Sequence, residues 1–402
     1  MISLHEAFDR IMAGITPLDG QTLPLLDALG HRLAAPLIAL RHQPPADVSA
    51  MDGFAIQYHA DDSGWKIVGT SAAGAPFEGV IKRGECVRIY TGAELPAGAD
   101  TVLIQEKTDW PKSSSEINLS GGDGSIKQSR GQHVRAKGQD FRPDSELLAK
   151  GTQLGARQIS LAAMSGHSDI CVIRAPIVAL LSTGDELVEP AAATDANRAI
   201  PNSNSPMLQA LIAAAGGTAI DLGIARDDPE DIKKRIRDAG AFDVLVTIGG
   251  ASVGDRDFIQ SALAELGLES DFWKIRMKPG KPLIHGTLSG RPFLGLPGNP
   301  ASAFVCALLF LAPLLAALQG QKAHLPRTEK RILSSALVAN GDRENFARGA
   351  MMPDGSIRPA HSGDSSLSKA LSDADGLIWQ PAHSPALNAG DYILFMPFPT
   401  GF

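Results

Sequence analysis

The sequence predicts a multidomain protein of α/β and β parts, on three observations. Between Ile177 and Leu266, short apolar runs alternate with stretches of helical period, the pattern of a doubly wound sheet. Between Val48 and about Val134 the texture changes to short runs punctuated by glycine, the spacing of a small all-β domain. At 402 residues the chain also exceeds what one hydrophobic core serves, since domains average roughly 150 residues.

Taken in order, Ser3 and Glu6 form an S-x-x-E capping box, and Leu4, Phe8, Ile11 and Ile15 follow helical spacing behind it. Leu23 to Leu40 reads as a second helical segment, interrupted at Gly30 and Pro36 and closed by Pro44-Pro45. In the β region the expected strands are Phe54 to Tyr58, Trp65 to Gly69, Cys86 to Tyr90 and Thr101 to Gln105, with the Ser/Gly-rich Ser113 to Ser125 as exposed hairpin turns. Phe141 to Arg174 mixes short helical and extended pieces and is expected to pack back on the N-terminal helices, which would make that domain discontinuous.

The α/β region should contain strands Ile177 to Leu181, Thr218 to Ile224 and Asp243 to Ile248, with helices Pro206 to Ala215, Pro229 to Ala239 and Phe258 to Leu266 between and after them. Ala301 to Leu318 has membrane-like length, but Ser302, Pro313 and the lack of basic flanks favour a buried helix. From Lys330 to Phe402, runs such as Arg331 to Val338 and Tyr392 to Met396 indicate a small barrel or sandwich.

A formal net charge of −7 argues against bulk nucleic-acid binding, which rests on clustered Lys and Arg. Cys86, Cys171 and Cys306 are far apart and form no C-x-x-C pair, so they read as free, buried thiols in a reducing cytosol. Glu6 and Asp9 interrupt what would be the apolar stretch of an export signal. The expectation is a cytoplasmic protein with no membrane partner.

The chemistry concentrates in D-V-L-V-T-I-G-G-A-S-V-G-D-R-D, Asp243 to Asp257. A strand that stops at Gly249-Gly250, with Ser252, Asp255 and Asp257 crowding the next loop, belongs at the carboxyl edge of a parallel sheet, where such folds bind ligands. Ser182-Thr-Gly-Asp-Glu186 ends the first strand of the same sheet and should lie on the same edge. An isolated T-G-D-E is often only a turn with Asp185 as its cap; paired with a second acidic loop it suits a hard cation such as Mg²⁺.

Lys278-Pro-Gly-Lys281-Pro offers two ammonium groups on a stiff turn, and Gly295-Leu-Pro-Gly-Asn-Pro300 leads a helix whose first amides can face a phosphate. Pro282 follows Lys281 where a Walker A motif needs Ser or Thr, and no G-x-G-x-x-G occurs, so ATPase and Rossmann dehydrogenase readings fall away. Gly250-Ala-Ser-Val-Gly254 fits the G-x-S-x-G hydrolase pattern, but Asp255 and Asp257 would oppose the negative charge an oxyanion hole must hold. The ten histidines form no H-E-x-x-H pair.

Eight short motifs in one order resemble the MoeA-type molybdopterin molybdenumtransferases, the family that includes the E domain of gephyrin. They are S-A-M-D-G-F-A (49–55), Y-T-G-A (90–93), R-A-K-G-Q-D (135–140), L-S-T-G-D-E-L (181–187), R-D-D-P (226–229), G-G-A-S-V-G-D-R-D (249–257), K-P-G-K-P (278–282) and G-L-P-G-N-P (295–300). The resemblance implies four domains: an elongated discontinuous one (1–47 and 141–174), a small β domain (48–140), a MogA-like nucleotide-binding α/β domain (175–322) and a C-terminal β-barrel (323–402). It implies a homodimer whose active site joins the α/β domain of one subunit to the β domain of the other, and insertion of molybdate into adenylylated molybdopterin with release of AMP.

By the same resemblance Asp52, Thr91, Asp140, Glu186, Asp227 and Asp257 are catalytic, with Glu186 and Asp257 holding Mg²⁺. Arg135, Ser182, Gly249, Gly250, Ser252, Lys278, Lys281, Pro297, Asn299, Arg348 and Ser365 or Ser366 bind substrate, and a MogA-type adenylyltransferase stands upstream as partner. Two positions depart from the family pattern, Gln139 where an acidic residue is usual and Ala136 where arginine is more common. The competing functions are a MogA-like adenylyltransferase and a gephyrin-like binding scaffold.

Overall fold

The computed structural model describes residues 1–402 apart from 112–113, 120–128, 195–198, 251–257, 361–363, 365 and 367. The chain divides into two compact units, one of Met1–Gln21, Gly30–Arg32 and Ile173–Phe402, the other of Thr22–Leu29 and Leu33–Val172.

The larger unit is built on a six-stranded sheet in the order Thr218–Ala225, Ile177–Thr183, Val244–Ile248, Arg291–Leu296, Pro282–Leu288, Leu268–Lys274. The first four strands are parallel and the last two antiparallel. Alternate residues of each central strand enter opposite cores, as a period of two requires when both faces are covered. Val178, Leu180, Val244 and Val246 pack against helices Asn204–Ala214 and Pro300–Leu318 and the N-terminal helix. Ala179, Leu181 and Leu245 pack against helices Pro229–Asp238 and Phe258–Glu265. The sheet is doubly wound, as the alternation of elements predicts.

In the N-terminal helix Leu4–Met12, the Ser3 hydroxyl accepts the Glu6 N–H at 3.1 Å. The Glu6 carboxylate turns instead to Arg10, 2.7 Å away, so half of the expected capping box forms, and Ile15 lies beyond the helix. Pro300–Leu318 is long and apolar enough to cross a membrane by composition, yet 83% of it is buried within the fold. Its ladder opens to a π-turn over Ala307–Leu311, just before Pro313, whose missing N–H cannot continue the regular bonds.

The C-terminal sheet runs Met277–Lys278, Glu344–Met351, Gly376–Gln380, Tyr392–Pro397, Glu329–Ile332, with Ile357–Pro359 paired to Glu344–Met351. A bridge between Leu333 and Ile357 joins the two edges around a core of Leu333, Ile357, Ile378, Ile393 and Phe395. That closure makes a barrel rather than a sandwich. The expected run Arg331 to Val338 is strand only as far as Ile332.

The smaller unit holds a six-stranded sheet ordered Thr101–Ile104, Gly53–Ile56, Glu85–Ile89, Gly64–Ser71, Glu116–Leu119, Thr108–Asp109. Phe54, Ile56, Trp65, Cys86, Leu103 and Ile117 pack on one face and Ala55, Ile89 and Val102 on the other. Two expectations are corrected. Glu116–Leu119 is a strand rather than a turn, because Ile117 is fully buried while Glu116 and Asn118 face out. No helix forms over Leu23 to Leu40: Gly30 takes φ +85°, Leu37–Ile38 pair with Glu146–Leu148, and Leu33 and Leu37 join a core with Leu154, Ala162, Ile170 and Val172. Phe141 to Arg174 does not pack on N-terminal helices as expected: its residues up to Val172 pack on strands of the early chain instead, and the N-terminal helix packs in the larger unit. Cys86 and Cys306 are buried, and burial pushes the Cys86 thiol up to about 12 and the Cys306 thiol up as well; Cys171 is exposed, contrary to expectation.

Candidate functional site

The strand Ile177–Thr183 has its sequence successor, Thr218–Ala225, on one side and Val244–Ile248 on the other. The connections leaving Ile177–Thr183 and Val244–Ile248 therefore diverge, and the crevice between their carboxyl ends is the topological switch point. Ser182 and Ile248 are direct partners across it, so the loops after them start side by side. Gly249 (φ +91°) and Gly250 (φ +62°) take left-handed conformations. A Cβ on Gly249 would stand 2.7 Å from the Thr183 carbonyl oxygen, and one on Gly250 would stand 2.3 Å from Ile259 Cδ1.

A third loop closes on the same point. The space where Gly298 would carry a Cβ lies 3.7 Å from Gly249 Cα, and the Gly298 carbonyl accepts the Asn204 side-chain N–H at 2.6 Å. The Gly249 N–H donates to the Leu296 carbonyl at 3.0 Å. It is therefore committed to the sheet. Ser182 is fully buried, and its hydroxyl donates to Asn202 Oδ1 at 3.1 Å. Pro297 is buried; Asn299 is exposed at the N-cap of the helix that begins at Pro300.

Asp185 and Glu186 are exposed on the first loop. Both Glu186 carboxylate oxygens lie 2.7 Å from where Gly184 would carry a Cβ, so the carboxylate folds over Gly184 at φ +142°. Asp185 Oδ1 accepts the Asp227 N–H at 3.1 Å, which ties R-D-D-P to the same rim. Asp257, with Ser252 and Asp255, lies outside the described residues. Among the described residues no three His, Cys, Asp or Glu side chains gather. The oxygen donors present fit an ion that keeps several waters, takes one or two carboxylates and completes its shell on substrate phosphates, as Mg²⁺ does.

Lys278 and Arg348 line one cavity of 340 Å³ with Asn345, Phe346 and Gln380. The parallel pairing of Met277–Lys278 with Glu344–Asn345 brings K-P-G-K-P to the barrel. Lys281 is exposed and lies outside that lining. Arg348 is 5% exposed, and burial lowers its guanidinium from the usual range, opposed by the charge of Asp364. Its Nη2 donates to the Asp364 carbonyl at 2.8 Å, while Asp364 Oδ1 accepts the Ser366 N–H and hydroxyl, both at 2.9 Å. Those two donors, the N–H foremost, hold the Asp364 carboxyl below the ordinary range. Asp364 is the organising residue of this loop and was missed from sequence; its signal was the D-x-S spacing of an Asx turn. Ser365 lies outside the described residues.

In the smaller unit, Asp52 Oδ1 accepts the Thr91 N–H at 2.8 Å and the Thr91 hydroxyl at 2.7 Å. The N–H foremost, then the hydroxyl and the charge of Arg88, hold the Asp52 carboxyl below the ordinary range. Arg135 and Asp140 line a separate cavity of 740 Å³ with Gln43, Pro44, Gly92 and Gln139, within the few hundred to ~1,000 Å³ usual for small-molecule sites. Gln139 Oε1 accepts the Ala136 N–H at 3.1 Å, so the two positions that depart from the family pattern are joined to each other.

Fold and loops together define a multidomain α/β and β protein with its ligand crevice at the switch point of a parallel sheet. Three family models match in chain order: MoeA N-terminal region (domain I and II) over residues 2–166, probable molybdopterin binding domain over 179–317, and MoeA C-terminal region (domain IV) over 330–398. A molybdopterin molybdenumtransferase of Nostoc sp. is 32% identical over 99% of this chain and 94% of its own. The chain belongs to the MoeA family of molybdopterin molybdenumtransferases. A second such enzyme, from Haemophilus influenzae, is 34% identical over 80% of this chain and 79% of its own. The crystal structure of a molybdopterin biosynthesis MoeA protein from Pyrococcus horikosii matches with a TM-score of 0.85 at 29% identity, covering 99% of each chain.

Proposed function

We propose that the protein is a Mg²⁺-dependent molybdopterin molybdenumtransferase of the cytoplasm, which inserts molybdate into adenylylated molybdopterin and releases AMP. The observation that carries this is the meeting of three loops, Thr183–Glu186, Gly249-Gly250 and Gly298-Asn299, at one switch point. Glycines admit a bulky anion to the backbone there, and an exposed carboxylate pair stands beside them.

Each residue group has a task. Glu186 and Asp227 with Asp185 form the acidic rim, where Mg²⁺ when bound would supply positive charge against the phosphoanhydride. Asn299 and the start of the helix behind it, with Lys281, attract the phosphates. Lys278 and Arg348 line a basic cavity suited to a dianion such as molybdate, and Ser366 is held by Asp364, whose carbonyl Arg348 in turn binds. Asp52, kept ionised by Thr91, and Asp140 with Arg135 act on the pterin end, steering protons as molybdate oxygens are replaced by sulfur.

The smaller-unit residues reach this reaction in a homodimer, where the β domain of one subunit completes the α/β domain of the other. A MogA-type adenylyltransferase supplies the substrate. The test is a pair of incubations of the purified protein. Adenylylated molybdopterin with molybdate should give AMP, and free molybdopterin with ATP should leave ATP intact. ATP consumption in the second would replace this reading with an adenylyltransferase, and inertness in both would leave a scaffold.

A further inference from the structure

Arg88, in the strand Glu85–Ile89, is 8% exposed. Its guanidinium carbon lies 5.0 Å from the ring centroids of Phe54 and Tyr90 and 5.2 Å from that of Trp110. A buried cation is costly unless it is paired. Elsewhere in this unit Arg83 pairs with Asp62 and Arg130 with Asp100, but among the described residues no carboxylate forms an ion pair with Arg88. Aromatic faces and neutral oxygens take that place.

The oxygens chosen are informative. Arg88 Nη1 donates to the Gly53 carbonyl at 2.9 Å, and Nη2 donates to Gln105 Oε1. The Gln105 N–H in turn donates to the Asp52 carbonyl at 3.1 Å. One fork thus holds the main chain at residue 53 directly and at residue 52 through one intermediary. Thr91, three residues beyond Arg88, holds the Asp52 carboxylate from the same segment. Gly53 cannot be replaced without moving this turn, since a Cβ there would stand 1.9 Å from the Leu103 carbonyl oxygen.

We propose that Arg88 is the positioning residue of Asp52: three rings orient its guanidinium, and its planar fork fixes the backbone turn that presents the carboxylate. Lysine cannot do this, because an ammonium lacks the fork and its rigid geometry. The charge has a second effect. Arg88 is the charged group that acts on Asp52 alongside the two Thr91 donors, and it favours the ionised carboxylate. The inference rests on the role given to Asp52 in the proposed reaction.

The experiment measures molybdate-dependent AMP release by the full-length protein across pH, for wild type, Asp52→Asn, Arg88→Gln, Arg88→Lys and Gln105→Ala. Thermal melting verifies that each is folded. Arg88→Gln should lower kcat on the order of 100-fold, as a small misplacement of a reacting group does, with KM nearly unchanged and the acid limb moved to higher pH. Arg88→Lys should lower kcat without moving that limb. Should Arg88→Gln fail to fold, Gln105→Ala carries the test, with a smaller kcat loss and no KM change. Wild-type kcat and acid limb in Arg88→Gln, or in Gln105→Ala as its substitute, with Asp52→Asn inactive, would overturn the inference while leaving the proposed function standing. Full activity in Asp52→Asn removes the role of Asp52 itself, and the inference falls with it on that control.

Discussion

Asp185 and Asp227, 42 residues apart, are joined by a hydrogen bond of 3.1 Å from the Asp227 N–H to Asp185 Oδ1. That bond links the loops after two neighbouring parallel strands, at the edge where Asp185 and Glu186 are exposed. Removing it with Asp185→Ala should loosen the rim, and Glu186→Ala should remove a proposed metal oxygen outright. We expect Glu186→Ala to lower Mg²⁺-dependent AMP release beyond the ~10–100-fold usual for groups one step behind the ligands, and Asp185→Ala to fall within that interval. Equal, small losses would remove the metal role from Glu186.

Gly249→Ala should destabilise the protein by about 1–3 kcal/mol, the usual size of a strained left-handed residue, because φ +91° and the 2.7 Å approach to the Thr183 oxygen both oppose a side chain. Urea unfolding measures the loss. A stability equal to wild type would show that the loop relaxes freely and that its tight course does not shape the crevice.

Asp243 accepts Arg174 through both carboxylate oxygens, at 2.7 and 2.6 Å, and also the Ile177 N–H at 2.8 Å. Burial works to raise this carboxyl, but Arg174 and the Ile177 N–H overcome it and hold it below the ordinary range. A depressed carboxyl contributes stability that is present above its unfolded pKa and lost as pH falls through the folded one. Wild type should therefore lose stability on acidification through and below the usual aspartate range, and Asp243→Ala should lose less over the same interval. At neutral pH that variant should be weaker by about 2 kcal/mol, as for a charged hydrogen bond. Parallel pH–stability curves would contradict this.

Arg348→Gln should weaken molybdate binding at least tenfold, about 1.4 kcal/mol, since the guanidinium is buried where it lines the cavity with Lys278. Lys278→Ala should have a smaller effect that shrinks with added salt, because Lys278 is exposed and screened. Calorimetric titration with molybdate reads both, and unchanged affinity in Arg348→Gln would move the oxyanion site elsewhere.

Much of this architecture was legible in the residues. The β-branched runs at Ile177 and Val244 and the glycines that end the second located the switch point, because buried parallel strands need little beyond continuous apolar side chains. Leu23 to Leu40 misled, since Leu33 and Leu37 share helical spacing with residues that a strand can bury equally well. Glu116–Leu119 hid among serines and glycines, as Ile117 alone is fully buried there. At the site, residue type located the loops but not their hydrogen bonds: Ser182 is turned inward to Asn202 and the Gly249 N–H is held by Leu296. Asp364 left only the short D-x-S spacing as a signal, and Arg88 acts on a backbone carbonyl, which leaves little trace in side-chain motifs.

In the proposed reaction Asp52 and Glu186 belong to one active site shared between subunits, which makes mixing informative. Asp52→Ala and Glu186→Ala homodimers should each be nearly inactive, while subunits exchanged at equal amounts should recover up to about a quarter of wild-type turnover, since half the dimers then hold one intact site of two. No recovery after proven exchange would place both residues in a site within one subunit.

The most direct measurement is AMP released from adenylylated molybdopterin as molybdate is titrated into the purified protein with Mg²⁺ present. Release that depends on molybdate, reaches one AMP per substrate and is lost in Glu186→Ala is the expected result. AMP release at the same rate without molybdate, or no release at any molybdate concentration, would contradict the proposed transfer.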